Sequence, residues 1–323
     1  MKLSFCIPSL NRLDYLIHAV NSICKYKDLS HQFEICIYNN NSDVSYLELE
    51  ELLFRYASTY QINYLKGEIR LPVDRSMQTV TAMAKGEYLF LLGDDDFLLE
   101  NGVENIIKLI DKSEFDLAVY NATILHERNQ TKSQMFNIKS GVYNNLDEAL
   151  ILLKNYCSYG NILIKRKFLS KENFDYLNGT FHAYGGFWID FFKQYENDQH
   201  PIIIVPEQKV VCLRAILKTY DLLKVTFNSA KYELELYYKI IGPKSKELLM
   251  RYEAIFWKEQ SRFFKLLQYG LAGNNLILIK DYNRDFYLKN YKTIFLAIFF
   301  TKILFPIKGV IKRVKQIFTR NRC

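Results

Sequence analysis

Lys85-Gly86-Glu87-Tyr88-Leu89-Phe90-Leu91-Leu92-Gly93-Asp94-Asp95-Asp96 sets an unbroken apolar run, 88–92, directly before three adjacent carboxylates. A strand without polar alternation is covered on both faces, as in the middle of a parallel sheet. Three neighbouring Asp repel one another and lose hydration unless a cation or water offsets them. At the end of a buried strand the usual compensating partner is a hard divalent ion, Mg2+ or Mn2+, which keeps positions open for phosphate oxygens. Spacing alone equally allows a solvated turn in which Asp94 or Asp96 caps a helix beginning near Asn101.

Outward from this stretch, strand and helix patterns alternate. Residues 3–7 are an apolar run ending at Pro8, and Leu13, Leu16, Ile17, Val20 and Ile23 repeat at helical spacing. Residues 33–38 predict a second strand, closed by Asn39, Asn40, Asn41 and Ser42. Ser45 followed by Glu48 predicts a capping box opening a helix through Leu49, Leu52, Leu53 and Tyr56. A strand at 62–65, a helical stripe of Val73, Met77, Val80 and Ala84 ended by Gly86, a helix at 101–113 and a strand at 115–120 follow. This alternation predicts an α/β fold, a mostly parallel sheet flanked by helices. Beyond residue 122 the pattern weakens: a loop or small hairpin at 126–145, a short helix at 147–153, a strand at 161–165, extended runs at 201–214 and helices at 228–270. Ligands in such sheets sit beyond the carboxyl ends of the strands. Pro8-Ser9-Leu10-Asn11-Arg12, Asn39-Asn40 and the acidic triplet all fall on that edge, which favours a nucleotide crevice over three unrelated turns.

The chain has 323 residues, 49% apolar and 24% charged, with 13 Gly and 6 Pro. Those proportions exclude a disordered or collagen-like chain and suit one large domain, or one domain plus an extension. Six scattered Cys without a Cys-x-x-Cys pair argue against a disulfide scaffold or structural zinc. Residues 1–8 show no secretory pattern, so a reducing, cytoplasmic compartment is expected. Nine of the 43 basic residues lie in 286–323, which holds no acidic residue; the other 34 balance the 35 acidic ones to within one charge. A body without basic excess argues against nucleic acid as a partner.

Three segments resemble the family 2 glycosyltransferases, which have the GT-A fold: Phe5-Cys6-Ile7-Pro8-Ser9-Leu10-Asn11-Arg12, Ile37-Tyr38-Asn39-Asn40-Asn41-Ser42, and the 85–96 stretch. The last is the most specific, since it leads into the family's metal-binding Asp-x-Asp motif. Arg70-Leu71-Pro72-Val73-Asp74-Arg75 resembles the branch that includes O-antigen dideoxyhexose transferases. The resemblance covers about residues 2–215. It implies a nucleotide-sugar donor bound by Pro8, Ser9, Asn11, Arg12, Asn39, Asn40, Asp74, Arg75 and Asp94, and a Mn2+ or Mg2+ ion on Asp95 and Asp94. Two positions depart from the pattern. The family's base-contacting Asp falls at Asn39, and the first Asp of Asp-x-Asp falls at Gly93, which moves the implied ligands to Asp94 and Asp95 and leaves Asp96 to support the loop.

Within Tyr184-Gly185-Gly186-Phe187-Trp188-Ile189-Asp190, the resemblance implies that Asp190 is the general base of an inverting transfer. Without it, Asp190 reads as an N-terminal helix charge facing solvent. His182 is a rival base, and Tyr184 and Trp188 suit either sugar stacking or the core. Arg214 suits either a diphosphate contact or a plain surface charge.

The C-terminal residues carry a separate signal. Residues 294–307 are apolar apart from Thr301 and Lys302 and contain Pro306, short of the ~20 residues that span a bilayer. Ile307, Val310, Ile311, Val314, Ile317 and Phe318 then share a helical face beside Lys308, Lys312, Arg313 and Lys315. That pattern predicts an in-plane membrane helix, favoured over a protein- or nucleic-acid-binding one by the lack of acidic residues. The expected partition is a catalytic domain at 1–220, a helical C-terminal extension at 221–285 and a basic amphipathic tail at 286–323. The expected activity is metal-dependent, inverting transfer of a sugar to a polyprenyl-diphosphate-linked glycan in surface-polysaccharide synthesis, by an enzyme peripheral on the inner face of the cell membrane. A catalytically inactive membrane-associated sugar-nucleotide-binding protein and a nucleotidyltransferase remain as alternatives.

Overall fold

The computed structural model describes residues 1–127, 130–136, 138–153, 157–215, 223–271 and 274–320, with side chains except at 151, 152 and 304–320. The chain divides into two compact units, Met1–Leu217 with Leu236–Leu248, and Lys218–Glu235 with Leu249–Cys323.

The first unit is the α/β part. Its strands are β1 (Leu3–Ser9), β2 (Phe33–Asn39), β3 (Gln61–Lys66), β4 (Tyr88–Leu91), β5 (Phe97–Leu98), β6 (Leu117–Val119), β7 (Thr123–His126), β8 (Thr131–Gln134), β9 (Gly141–Tyr143), β10 (Ile162–Lys165), β11 (Ile203–Val205) and β12 (Val211–Arg214). The helices between them are α1 (Leu13–Ile23), α2 (Leu47–Tyr56), α3 (Val73–Ala82), α4 (Gly102–Lys112), α5 (Leu146–Leu153), α6 (Lys171–Leu177) and α7 (Phe187–Glu196). The main sheet runs β3-β2-β1-β4-β10-β6-β11-β9. Its first four strands are parallel, β10 is antiparallel to both neighbours, and β9 is antiparallel to β11. The sheet is thus mostly parallel with two reversed strands, and the apolar β4 is buried along its whole length, as its composition requires.

The smaller sheet runs β5-β12-β7-β8. Its β7 and β8 pair antiparallel, so the hairpin expected at 126–145 starts earlier, at Thr123, and the extended run becomes β12. Pairing of Cys212 with Phe97 brings β12 alongside the segment that leaves the acidic triplet.

Local signals were corrected in three places. The residue before α2 is Tyr46, with no side-chain cap; Ser45 Oγ accepts only from Leu47 N at 3.3 Å, so the Ser45–Glu48 capping box does not form. Gly86 does not end α3, which stops at Ala82. It is needed for close approach, because a Cβ there would lie 2.7 Å from the Leu3 and Ser4 backbone. Asn101, in the left-handed region, precedes α4 without any carboxylate cap.

One buried charge has no counterpart in the apolar pattern. Glu34, the second residue of β2, has no exposure and accepts from Ser4 Oγ (2.6 Å), Lys85 N (2.6 Å), Gly86 N (3.2 Å) and Asn63 Nδ2 (2.7 Å). It ties the loop entering β4 to three strands at the end of the sheet away from the acidic turn.

The second unit is helical and includes α10 (Phe263–Leu271), α11 (Ile279–Tyr282) and α12 (Arg284–Arg320); α8 (Ala230–Ile240) and α9 (Pro243–Ser261) each divide between the two units. Its core gathers Leu223, Phe227, Leu266, Tyr269, Leu276, Ile279, Phe286, Ile294 and Ala297, with Trp257 packed against it. The first turns of the expected tail therefore belong to this core.

Candidate active site

Because β1, β2 and β4 are parallel neighbours, their carboxyl ends coincide, with Ser9 in register with Asn39. The loops beyond them are stitched together. Asn11, in the left-handed region, donates from N to Ser42 Oγ (3.0 Å) and from Nδ2 to Asp43 (2.8 Å), and its Oδ1 accepts from Asp43 N (2.7 Å). Ser9 Oγ bonds Tyr46 OH (2.8 Å), which also accepts from Arg12 N (3.1 Å). The half-buried Pro8 lies beside Ser9.

The two asparagines at the end of β2 are buried and engaged. Asn39 Oδ1 accepts from Ser42 N (3.0 Å), and its Nδ2 donates to Tyr64 OH (3.2 Å). Tyr64 OH itself donates to Glu50 (2.9 Å), so its oxygen is the acceptor facing residue 39. An Asp at 39 would set two acceptors against each other, which accounts for the amide where the family has a carboxylate. Asn40 makes a two-point clamp on Leu71, donating to its carbonyl (2.9 Å) and accepting from its N–H (2.7 Å).

The acidic turn faces this edge. Asp94 is 6% exposed; its Oδ1 accepts from Arg12 Nη1 (3.0 Å) and its Oδ2 from Leu10 N (3.3 Å). The same Arg12 nitrogen lies 3.3 Å from Asp95 Oδ2. Burial pushes the Asp94 carboxyl up to about 6, with Asp95 adding to the rise and Arg12 opposing it. Asp96, 7% exposed, accepts from Arg214 N (2.9 Å); burial and then Asp95 push its carboxyl well up. Gly93 and Gly160 sit close against this turn. A Cβ on either would come within 2.7 Å of Asp96 Oδ2, and Gly160 also sits at φ +111°. A side chain at 93 would require the Asp96 carboxylate to shift.

Asp94 and Asp95 offer two hard carboxylates beside one guanidinium, a chemistry that suits Mg2+ or Mn2+. Asp95 is the most open of the acidic triplet, with its side chain 18% exposed. Among the described residues no three acidic, imidazole or thiol groups converge as metal ligands. A dication here would take Asp95 and Asp94 and complete its shell with phosphate oxygens and water.

The structure separates the remaining expected residues. Asp74 is buried, and its carboxylate is spent on backbone N–H groups of Gly179, Phe181 and Ala183. Arg75 pairs with Asp175 and Gln78 on α3 and α6. Asp190, in the first turn of α7, is half-buried and accepts from Asn173 Nδ2 at 2.8 Å, so it is not a free solvent charge. Trp188 packs with Phe187 and Phe191 (ring centroids 5.0 and 5.5 Å), which assigns it to packing. Arg214 is neither free nor at the surface: it donates to Glu127 (2.9 Å), bonds His18 (3.1 Å) and covers the Tyr15 and Phe97 rings.

Sequence reasoning missed Tyr46, Tyr159 and Asn173. Tyr159 OH donates to the Cys6 carbonyl (3.0 Å), and its ring meets Tyr184 edge-on at 5.7 Å. It lies near enough to Asp94 for that charge, after burial and Cys6, to raise its phenol. Each acts through partners distant in sequence, and no local motif marks it.

With this geometry in place, the comparisons are specific. The family model described as glycosyl transferase family 2 matches residues 4–187, more than half the chain. The chain belongs to glycosyltransferase family 2. The abequosyltransferase RfbV of Salmonella typhimurium is 25% identical over 219 residues, 64% of this chain. The match spans 60% of that relative's length. Among solved structures, TarS 1–349 of S. aureus in complex with UDP-GlcNAc superposes with a TM-score of 0.60 at 13% identity, covering 92% of this chain and 90% of that one. The mannosyltransferase PcManGT of Pyrobaculum calidifontis, in complex with GDP-Man and Mn2+, gives 0.52 at 11% identity, covering 94% and 86%. These likenesses establish the GT-A-like fold for this family 2 chain.

Proposed function

We propose that this family 2 chain is a metal-dependent, inverting glycosyltransferase that moves a sugar from a nucleotide-sugar donor to a lipid-linked glycan of surface-polysaccharide assembly. The observation that carries the reading is the meeting of the β1 and β2 loops with the Asp94–Asp96 turn at one sheet edge. The GT-A relatives solved with UDP-GlcNAc, or with GDP-Man and Mn2+, support a donor and metal of these classes. The abequosyltransferase relative supports an O-antigen-type product.

A divalent ion on Asp95 and Asp94 would neutralise the departing diphosphate, so no general acid is needed. Leu10 N and Arg12 hold Asp94 in place. The backbone of the β1 loop and the Asn39–Asn40 turn shape the nucleotide crevice. Asp190 Oδ1 takes the proton of the acceptor hydroxyl while the hydroxyl oxygen bonds the anomeric carbon and the bond to the nucleotide diphosphate breaks. Asn173, bonded to Oδ2, fixes the carboxylate's orientation.

Membrane association is supported by α12. Leu288, Tyr291, Phe295, Phe299 and Ile303 are exposed at intervals of three or four residues, while Ile294 and Ala297 pack inward. No helix among the described residues is long and apolar enough to cross a membrane. An exposed apolar stripe with basic neighbours, on a helix whose one acidic residue is Asp285 in its first turn, suits the plane of an anionic leaflet.

Arg12 bridging Asp94 and Asp95 favours one second reading, a sugar-nucleotide-binding protein without turnover. Purified full-length protein incubated with a panel of nucleotide sugars and lipid-linked acceptors, with and without Mn2+, separates the two. Mn2+-dependent release of nucleoside diphosphate is expected. Binding without release supports the second reading.

A further inference from the structure

An Asp in the first turn of a helix ordinarily faces solvent and meets the positive end of the helix. Asp74, in the first turn of α3, does not: it is 2% exposed. Its Oδ2 accepts from Gly179 N (2.8 Å) and Phe181 N (3.0 Å), and its Oδ1 from Ala183 N (3.1 Å). These three donors lie on alternate residues of a loop that turns twice through the left-handed region, at Gly179 (φ +92°) and Phe181 (φ +64°). Backbone N–H groups converging in this way form a nest, and a nest binds an anion. Here the anion is a side chain more than 100 positions away in sequence.

Both ends of this link reach the proposed site. On one side, Leu71, three residues before Asp74, is clamped by Asn40 at the end of β2. On the other, the loop runs directly into Tyr184 and then α7 with Asp190. Tyr184 meets Tyr159, whose hydroxyl returns to β1 at Cys6. An amide and a carboxylate therefore connect the end of β2 to the segment that carries the proposed base. Such a loop without its anion would hold several unpaired N–H groups in a strained path.

We propose that Asp74 is a positioning residue that sets the 178–186 segment, and with it the acceptor side of the site, and does not itself contact the donor. The proposal rests on the glycosyl-transfer reading for the role of Tyr184 and Asp190. It predicts a split: loss of Asp74 disturbs acceptor use and spares donor binding.

The test uses the full chain, wild type and Asp74→Asn, with three readouts. Hydrogen exchange at the Gly179, Phe181 and Ala183 amides is expected to be protected in the wild type and at least about tenfold faster in the variant. Mn2+-dependent affinity for the donor nucleotide, read by calorimetry without acceptor, should stay within about twofold, while acceptor KM rises roughly tenfold. Asp74→Glu, which keeps the charge, should recover part of the protection. Three results would overturn the proposal: unprotected loop amides in the wild type, a tenfold loss of donor affinity with the amides unchanged, or faster exchange with acceptor KM unmoved. The wild-type exchange measurement needs no variant, so a misfolded Asp74→Asn does not shield the proposal. Failure of the wild type to transfer any sugar would count against the glycosyl-transfer reading, while the exchange data still report whether Asp74 holds the loop.

Discussion

Asp190 and Gly160 show how much of the proposed site turns on single residues. Asn173 occupies one oxygen of Asp190, and in the proposed mechanism the other takes the acceptor proton. Asp190→Asn should lower the transfer rate at saturation by roughly 10²–10⁴-fold with donor affinity unchanged, as single-turnover kinetics would show. Loss of donor affinity at an unchanged saturated rate would assign Asp190 to binding. Gly160→Ala forces a Cβ to within 2.7 Å of both Asp96 Oδ2 and Leu213 Cδ2 at a positive φ. It should cost about 1–3 kcal/mol in a denaturant titration, and an unchanged midpoint would contradict the crowding described here. The acidic triplet and the polar strand ends were legible in the sequence because each is a local string. What each side chain does was not. Asn39 and Asp74 are polar residues at the expected edge, yet their atoms are committed to Ser42, Tyr64 and the 179–183 loop, partners that only the folded chain brings close.

Among the elements, β1, β2 and β4 fall within a residue or two of where their apolar runs place them, because a buried parallel strand is mostly apolar, while the edge strand β3 is partly exposed and shows only a short apolar run. Pairing partners are not encoded locally, so the reversed β10 and the second sheet could not be read from pattern. Glu34 is the exception within β2. Glu34→Ala would remove the acceptor of Ser4, Asn63 and the Lys85 N–H, and it should destabilise the fold by about 3 kcal/mol by chemical denaturation. A loss under about 0.5 kcal/mol would mean that water replaces the carboxylate. On the α3–α6 surface, Lys171 and then Arg75 hold the Asp175 carboxyl down to about 2. Its folded value lies below the unfolded ~3.9, so its stabilisation is complete above about pH 4 and is lost as pH falls towards 2. All three groups are substantially exposed, so the effect is small. The difference in Tm between wild type and Asp175→Asn should shrink over that window, and a constant difference would contradict the pairing.

For the whole molecule, the charge count placed the basic excess in 286–323, but composition could not show that Phe286, Ile294 and Ala297 complete the core of the helical unit. A chain ended at Ile303 keeps that core, whereas one ended at Phe286 removes most of α12. The Ile303 truncation should bind nucleotide as the full chain does but sediment less with anionic vesicles, and binding of the full chain should weaken with salt. Equal sedimentation of the two would favour a protein partner for the C-terminal residues. The central claim is that Asp94 and Asp95 hold a divalent ion that binds the donor at the β1–β2–β4 edge. Calorimetric titration of nucleotide-sugar donors into wild type and Asp95→Asn, each with and without Mn2+, tests it most directly. Tight donor binding is expected only for wild type with Mn2+; equal affinity without metal, or full affinity in Asp95→Asn, would overturn the assignment of Asp94 and Asp95.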